Sequence, residues 1–296
     1  MPYVALVLTA PQLTGAHIAA VQAVSPLLKA LSPVTLSPAA ACEWALDIPA
    51  HQASDLLDTA RAALADTPVD VNIVSNDENR RKRLLIADMD STIIEQECID
   101  EIADFAGCGA EVSAITERAM RGELDFEEAL TVRVGLLKGL DTATLQRVVT
   151  ERLTITPGAE TLVATMAANG AYCALVSGGF TFFTSRIAHR VGFHENRANS
   201  LEVEGDKLTG RPIPPILGRQ AKLDALHEIS MSRNLLLDAT LAVGDGANDL
   251  AMIKAAGLGV AYHAKPVVAA EAKAAVNHSD LTALLYLQGY HRTDFV

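Results

Sequence analysis

Four apolar residues, Leu84 to Ala87, run straight into two carboxylates, Asp88 and Asp90, and then into the hydroxyls of Ser91 and Thr92. So short an apolar run predicts a strand buried on both faces. Strands of that kind belong to parallel sheets covered by helices. In such sheets ligands bind just past the carboxyl ends of the strands, which is where Asp88 and Asp90 fall. Two apart on extended chain, they lean toward the same side. Close carboxylates repel unless a cation or a shared proton relieves them, and Mg²⁺ suits oxygen ligands. Aspartate also caps ordinary strand-to-helix turns, so the pair alone leaves both readings open.

The chain has 296 residues, enough for two domains. Its net charge of −12 excludes a nucleic-acid partner, because phosphate backbones demand clustered Lys and Arg. Four scattered cysteines form no Cys-x-x-Cys pair, so neither a zinc site nor a disulfide scaffold is expected. They read as small buried hydrophobes of a reducing, cytoplasmic compartment. The apolar start, Val4 to Leu8, lacks a basic flank and meets Pro11, and predicts a strand rather than a signal peptide. No stretch predicts a membrane span.

Residues 1–77 alternate in the order βαββαβ, which predicts an α+β ferredoxin-like domain. The strands are Tyr3–Thr9, Val34–Leu36, Cys42–Leu46 and Val69–Val74; the helices are Leu13–Leu28 and Gln52–Ala65. This order resembles small-molecule-sensing ACT domains. His17 and His51 have no partners nearby in sequence and read as surface residues. Ser75 to Arg83 reads as a linker, with Arg80, Arg81, Lys82 and Arg83 as a solvated boundary.

Residues 78–296 predict an α/β domain. Helical patterns over Glu97–Ala106, Ala110–Met120, Phe126–Lys138 and Thr142–Arg152 intervene between the first strand and the next. That is too much for a crossover and predicts a helical cap at about 95–153. Arg133 falls on the apolar face of its helix, where it either snorkels to water or binds an anion. Beyond Pro157-Gly158, Tyr172–Val176 is a strand, followed by Ser177-Gly178-Gly179 and a helix over Phe180–Arg190. That turn is either flexible or a phosphate cradle. A hairpin spans Ala198 to Pro212. Lys222 lies near the start of a helix over Gln220–Ile229, as a phosphate ligand or a solvated lysine. Thr240–Val243 runs into Gly244-Asp245-Gly246-Ala247-Asn248-Asp249, a helix follows over Leu250–Ala256, and Leu258–Ala261 is expected as the last strand. Helices over Val267–Ala275 and Leu281–Leu287 complete the chain. Strand and helix alternate as in a doubly wound parallel sheet. Its strand ends would gather carboxylates, a hydroxyl and a lysine, the equipment of phosphoryl transfer.

Asp88-Met89-Asp90-Ser91-Thr92, Val176-Ser177-Gly178-Gly179, Lys222 and Gly244-Asp245-Gly246-Ala247-Asn248-Asp249 resemble the four motifs of the haloacid dehalogenase superfamily. Asp88 through Glu97, Ala119-Met120-Arg121-Gly122, Phe126, Arg133-Val134 and Pro157-Gly158 narrow the resemblance to its phosphoserine-hydrolysing family. The N-terminal segment resembles the ACT-like extension of some bacterial members. The resemblance implies a HAD-like Rossmannoid core and hydrolysis of O-phosphoserine in L-serine biosynthesis. It implies Asp88 as nucleophile, Asp90 as general acid and base, and Mg²⁺ held by Asp88, Asp245 and the Asp90 carbonyl. Ser177, Gly178, Lys222 and Asn248 would hold the phosphoryl group, with Asp249 supporting the metal. Glu97 and Arg133 would take the substrate's ammonium and carboxylate, and Met120 and Phe126 would line an apolar wall. A homodimer is the expected assembly. Competing readings are a phosphatase for phosphohomoserine or phosphoglycolate, and a non-catalytic amino-acid sensor. A dinucleotide-binding dehydrogenase fails, since no Gly-x-Gly-x-x-Gly follows a strand.

Overall fold

The computed structural model describes residues 3–296, apart from the side chains of Ala50, His51 and Met120. Two sheets organise the chain. The first contains β1 (Val4–Thr9), β2 (Val34–Ser37), β3 (Ala41–Leu46) and β4 (Asp70–Ser75), antiparallel in the order β2-β3-β1-β4. Its core is built on Leu6, Leu8, Trp44 and Leu46, packed against helices at 15–23 and 50–63. The helix expected over Leu13–Leu28 is two: Gly15–Ala23 and Pro26–Ala30. The Ser25 hydroxyl accepts from the Leu27 amide, and Pro26 starts the second helix, where its missing N–H costs nothing.

The second sheet contains β5 (Leu84–Ala87), β6 (Tyr172–Phe180), β7 (Glu195–Glu204), β8 (Lys207–Ile213), β9 (Thr240–Gly244), β10 (Leu258–Tyr262) and β11 (Ala274–Val276). Their order is β11-β10-β9-β5-β6-β7-β8, parallel except for β8. β5 lies in the middle and is wholly buried, as a continuous apolar run requires. Two expectations need correction. The segment Ser177-Gly178-Gly179 is not a turn: β6 stays extended to Phe180 through a break in register, and the helix starts at Thr181. The helix expected over Val267–Ala275 shrinks to Pro266–Ala269, so Leu258–Ala261 is not the last strand; β11 follows it along β10.

Helices Cys98–Ala106, Gly109–Met120, Phe126–Leu136 and Ala143–Glu151 occupy the stretch between β5 and β6 where the cap is expected. Its entry and exit strands meet in the antiparallel bridge Ile94–Ile155. Residues 139–142 share three backbone hydrogen bonds with the β7–β8 hairpin, between Gly139 and Leu208, Leu208 and Leu140, and Thr142 and Asp206.

The two sheets are joined at β11. The Asn72 side chain donates to the Ala275 carbonyl and accepts from its amide, both at 2.9 Å, covering an edge that would otherwise carry unpaired groups. The buried Asp70 carboxylate accepts from the amides of Asn277, His278 and Ser279. Of the basic run at 80–83, Arg81 and Arg83 are exposed as expected, but Arg80 and Lys82 are not solvated. Arg80 is buried, pairs with Glu43 and donates to the Leu287 carbonyl; Lys82 is buried and donates to the Asp238 carbonyl. Their partners are remote in sequence, so local pattern could not reveal them. No helix among the described residues is long and apolar enough to cross a membrane.

Candidate active site

The carboxyl ends of β5, β6 and β9 converge. β5 delivers Asp88 and then Asp90 across a tight turn, in which Ser91 takes a left-handed φ of 52°. That conformation is tolerated only where surrounding contacts determine it. Here the Ser91 amide donates to the Gln96 carbonyl, and its hydroxyl donates to Glu97 Oε1 at 2.6 Å.

Asp88 Oδ1 accepts from the Met89 amide at 2.8 Å and lies 2.7 Å from Lys222 Nζ. Both protein partners fall on that oxygen, and Asp88 lines the site cavity. Lys222 also reaches Asp249 Oδ1, at 2.6 Å. Burial opposes the Lys222 charge, yet Asp249 and then Asp88 hold its pKa above the ordinary value. The expected phosphate ligand is thus fully buried between two acids. Asp249 touches this lysine directly, and its other oxygen accepts from the Gly246 amide.

Asp90 Oδ1 is committed to the Cys98 amide at 2.8 Å, while Oδ2 accepts from the Ser177 hydroxyl at 3.2 Å. Burial, and then the Asp88 charge, raise the Asp90 carboxyl above the usual range. Glu97 is pushed up to about 8 by burial and next by Asp90. Asp249 is pushed up to about 7 by burial and by Asp88. Asp245 rises well above the carboxylate range, mainly through burial and the charge of Glu97.

One carboxylate oxygen from each of Asp88, Asp245 and Asp249 lies within 4.8 Å of the others. Asp245 Oδ1 is buried with no hydrogen-bond partner among the described residues. An orphaned, buried carboxylate oxygen beside two more acids fits a divalent cation, and this cluster could hold a metal.

Two glycines are required here by close approach. A Cβ on Gly179 would stand 2.7 Å from Asp90 Oδ2, and one on Gly178 would stand 2.6 Å from the Phe126 ring. Phe126 therefore lays the cap directly on the β6 end. Asp88, Asp90, Glu97, Phe126, Arg133, Ser177, Gly178 and Asn248 line one small cavity of about 40 Å³. Asn248 Oδ1 is buried without a hydrogen-bond partner among the described residues. Met120 stands on the cap helix, but its side chain is outside the described residues.

Arg133 does not snorkel. It is 5% exposed, and its guanidinium donates to the Ala129 carbonyl and to Thr116 Oγ1. Thr116 in turn donates to Asp100 at 2.6 Å. Burial pulls the Arg133 pKa down, against Glu97, Asp100 and Asp90. Thr116 and Asp100 escaped the sequence reading because they join across helices; Ser91 was read as part of its motif, but its bond to Glu97 was not.

Residues 85–254 match the haloacid dehalogenase-like hydrolase family, more than half of the chain. A phosphoserine phosphatase of Streptomyces coelicolor is 44% identical over 239 residues, covering 80% of this chain and 57% of that protein. The chain spans 57–65% of the length of the first curated relatives it matches. A solved phospho-aspartyl intermediate analogue of phosphoserine phosphatase superposes with a TM-score of 0.67 at 40% identity, covering 69% of this chain and 98% of that one. A HAD family hydrolase of Salmonella enterica serovar Typhi gives 0.84 at 30% identity, covering 96% and 98%. With the matched segment spanning the acids that follow β5 and β9 and the Ser177 end of β6, the chain belongs to the haloacid dehalogenase-like hydrolases.

Proposed function

We propose that this chain is a phosphoserine phosphatase, hydrolysing O-phospho-L-serine to L-serine and phosphate at the end of L-serine biosynthesis. One observation carries the choice of substrate: Arg133 and Glu97 line the same small cavity as Asp88 and Asp90. A buried guanidinium suits a carboxylate in a bidentate pair, and a buried carboxylate suits an ammonium. An amino acid offers both, on the far side of a phosphoryl group.

In this reading Asp88 attacks phosphorus, the bond from phosphorus to the serine oxygen breaks, and an aspartyl-phosphate forms. Asp90 gives its proton to the departing serine oxygen. With Oδ1 held by the Cys98 amide, the mobile proton resides on Oδ2. Water then attacks the aspartyl-phosphate, Asp90 takes the water's proton, and phosphate leaves with Asp88 regenerated. Ser177, the Gly178 amide, Asn248 and Lys222 bind the phosphoryl oxygens. Asp88, Asp245 and the Asp90 carbonyl would hold Mg²⁺, with Asp249 in support; bound there, it offsets the negative charge of phosphoryl transfer. Phe126 walls the cavity from water.

The reading extends to the rest of the chain. Residues 1–77 form an ACT-like, ferredoxin-like domain, supported by the sheet order β2-β3-β1-β4. Residues 78–296 form the hydrolase domain, with its cap at about 95–153. Four unpaired cysteines suit the cytoplasm, and a homodimer is the assembly that sedimentation would test.

Steady-state kinetics test the substrate. Arg133→Ala raises KM for phosphoserine by about 100-fold, the loss expected of a buried charge pair. It leaves p-nitrophenyl phosphate nearly unaffected. Glu97→Gln weakens phosphoserine but not phosphoglycolate, which has no ammonium. Equal losses on all substrates would contradict the amino-acid reading.

A further inference from the structure

A second cavity, of about 290 Å³, opens between the two sheets. It lies at the opposite end of the hydrolase sheet from the acids: Lys82 precedes β5 and Leu258 begins β10, whereas Asp88 and Asp245 follow the ends of β5 and β9. Leu57 and Ile73 form its wall on the N-terminal side and Leu258 on the other.

The charge of this lining runs against the composition. The chain carries 36 acidic and 24 basic residues, yet Arg80, Lys82 and Lys273 line the cavity and no Asp or Glu does. Arg80 is balanced by Glu43. Lys82, 7% exposed, donates to the Asp238 carbonyl at 2.7 Å, and Lys273 donates to the Ala256 carbonyl at 2.8 Å. Neither forms an ion pair among the described residues. Backbone carbonyls satisfy donors without neutralising charge, and each ammonium has three donors to place. Burial pushes the Lys82 ammonium below its ordinary pKa and Lys273 adds to that push, against Asp77 and Asp238. A buried cation beside a second cation is costly unless an anion joins them.

We propose that this cavity binds a small organic anion with an apolar body, its carboxylate or phosphate-like head lying between Lys82 and Lys273 and its body against Leu57, Ile73 and Leu258. Both sheets contribute to the wall, so such a ligand bridges them. The site is independent of the substrate assigned to Asp88.

Isothermal titration of the full chain with hexanoate, hexylphosphonate and neutral hexanol tests this. One of the anions binds at one site per chain. Lys273→Gln, an exposed change that spares the fold, weakens it about fivefold, the upper range for a solvent-facing charge. Lys82→Met weakens it by about tenfold or more. Hexanol binding is the same in all three proteins. Preference for either head supports the site and identifies which anion it takes. Absence of binding by both anions, or equal affinity in wild type and Lys273→Gln, would overturn the proposal. The second comparison stands even if Lys82→Met fails to fold.

Discussion

The Lys222 ammonium lies 2.7 Å from Oδ1 of Asp88, and both side chains are buried. The pair sets a cation directly against the carboxylate proposed as the nucleophile. Lys222 shares itself with Asp249, so its loss strands two acids at once. Lys222→Met is expected to lower kcat by about 10²–10³-fold, the range for removing one preorganised donor. It also lowers stability by about 3 kcal/mol in urea denaturation, as for a broken buried ion pair. A kcat within threefold of wild type would contradict this role.

Opening of the cap is the expected route for substrate: the site cavity is small, about 40 Å³, and Phe126 sits on Gly178. A Cβ placed on Gly122 would stand 3.3 Å from the Cβ of Ala247, close to the separation a disulfide spans. Gly122→Cys with Ala247→Cys is expected to lose at least tenfold in turnover when oxidised and to recover it in reductant. Each single variant is the control for strain at the positive φ of Gly122. Full activity in the verified disulfide form would show that substrate enters without cap movement.

The orphaned Asp245 oxygen predicts a metal requirement. Treatment with EDTA is expected to abolish hydrolysis, and Mg²⁺ to restore it. Saturating Mg²⁺ at 100 times its Kd adds about 2.7 kcal/mol to the folded state, a rise of a few degrees in Tm. Asp245→Asn should abolish most of that rise. An unchanged Mg²⁺ response in Asp245→Asn would place the ion elsewhere.

The chemistry was more legible in the sequence than the tertiary joints were. Asp88, Asp90, Ser177 and Asp245 each end an apolar run, and such runs in a parallel sheet bring their ends to one edge. β11 was not legible. Residues 269–275 are mostly alanine, whose helix propensity is the highest; pairing with β10 and with Asn72 overrides it. The break at Ser25-Pro26 was visible, since both residues are helix-start signals, but the apolar pattern running through it concealed it. Arg80 and Lys82 looked solvated because charge runs usually are. The contacts that bury them come from Glu43, Asp238 and Leu287. Arg133 stood out as a charge on an apolar stripe, whereas Thr116, which holds it, carried no such signal.

The covalent role of Asp88 is tested most directly by mixing the enzyme with ³²P-labelled phosphoserine, quenching in acid within the first turnover and mapping the labelled peptide. The account predicts acid-stable, alkali-labile label on the peptide bearing Asp88, absent in Asp88→Asn. Hydrolysis at a normal rate with no label on that peptide at any quench time would contradict it.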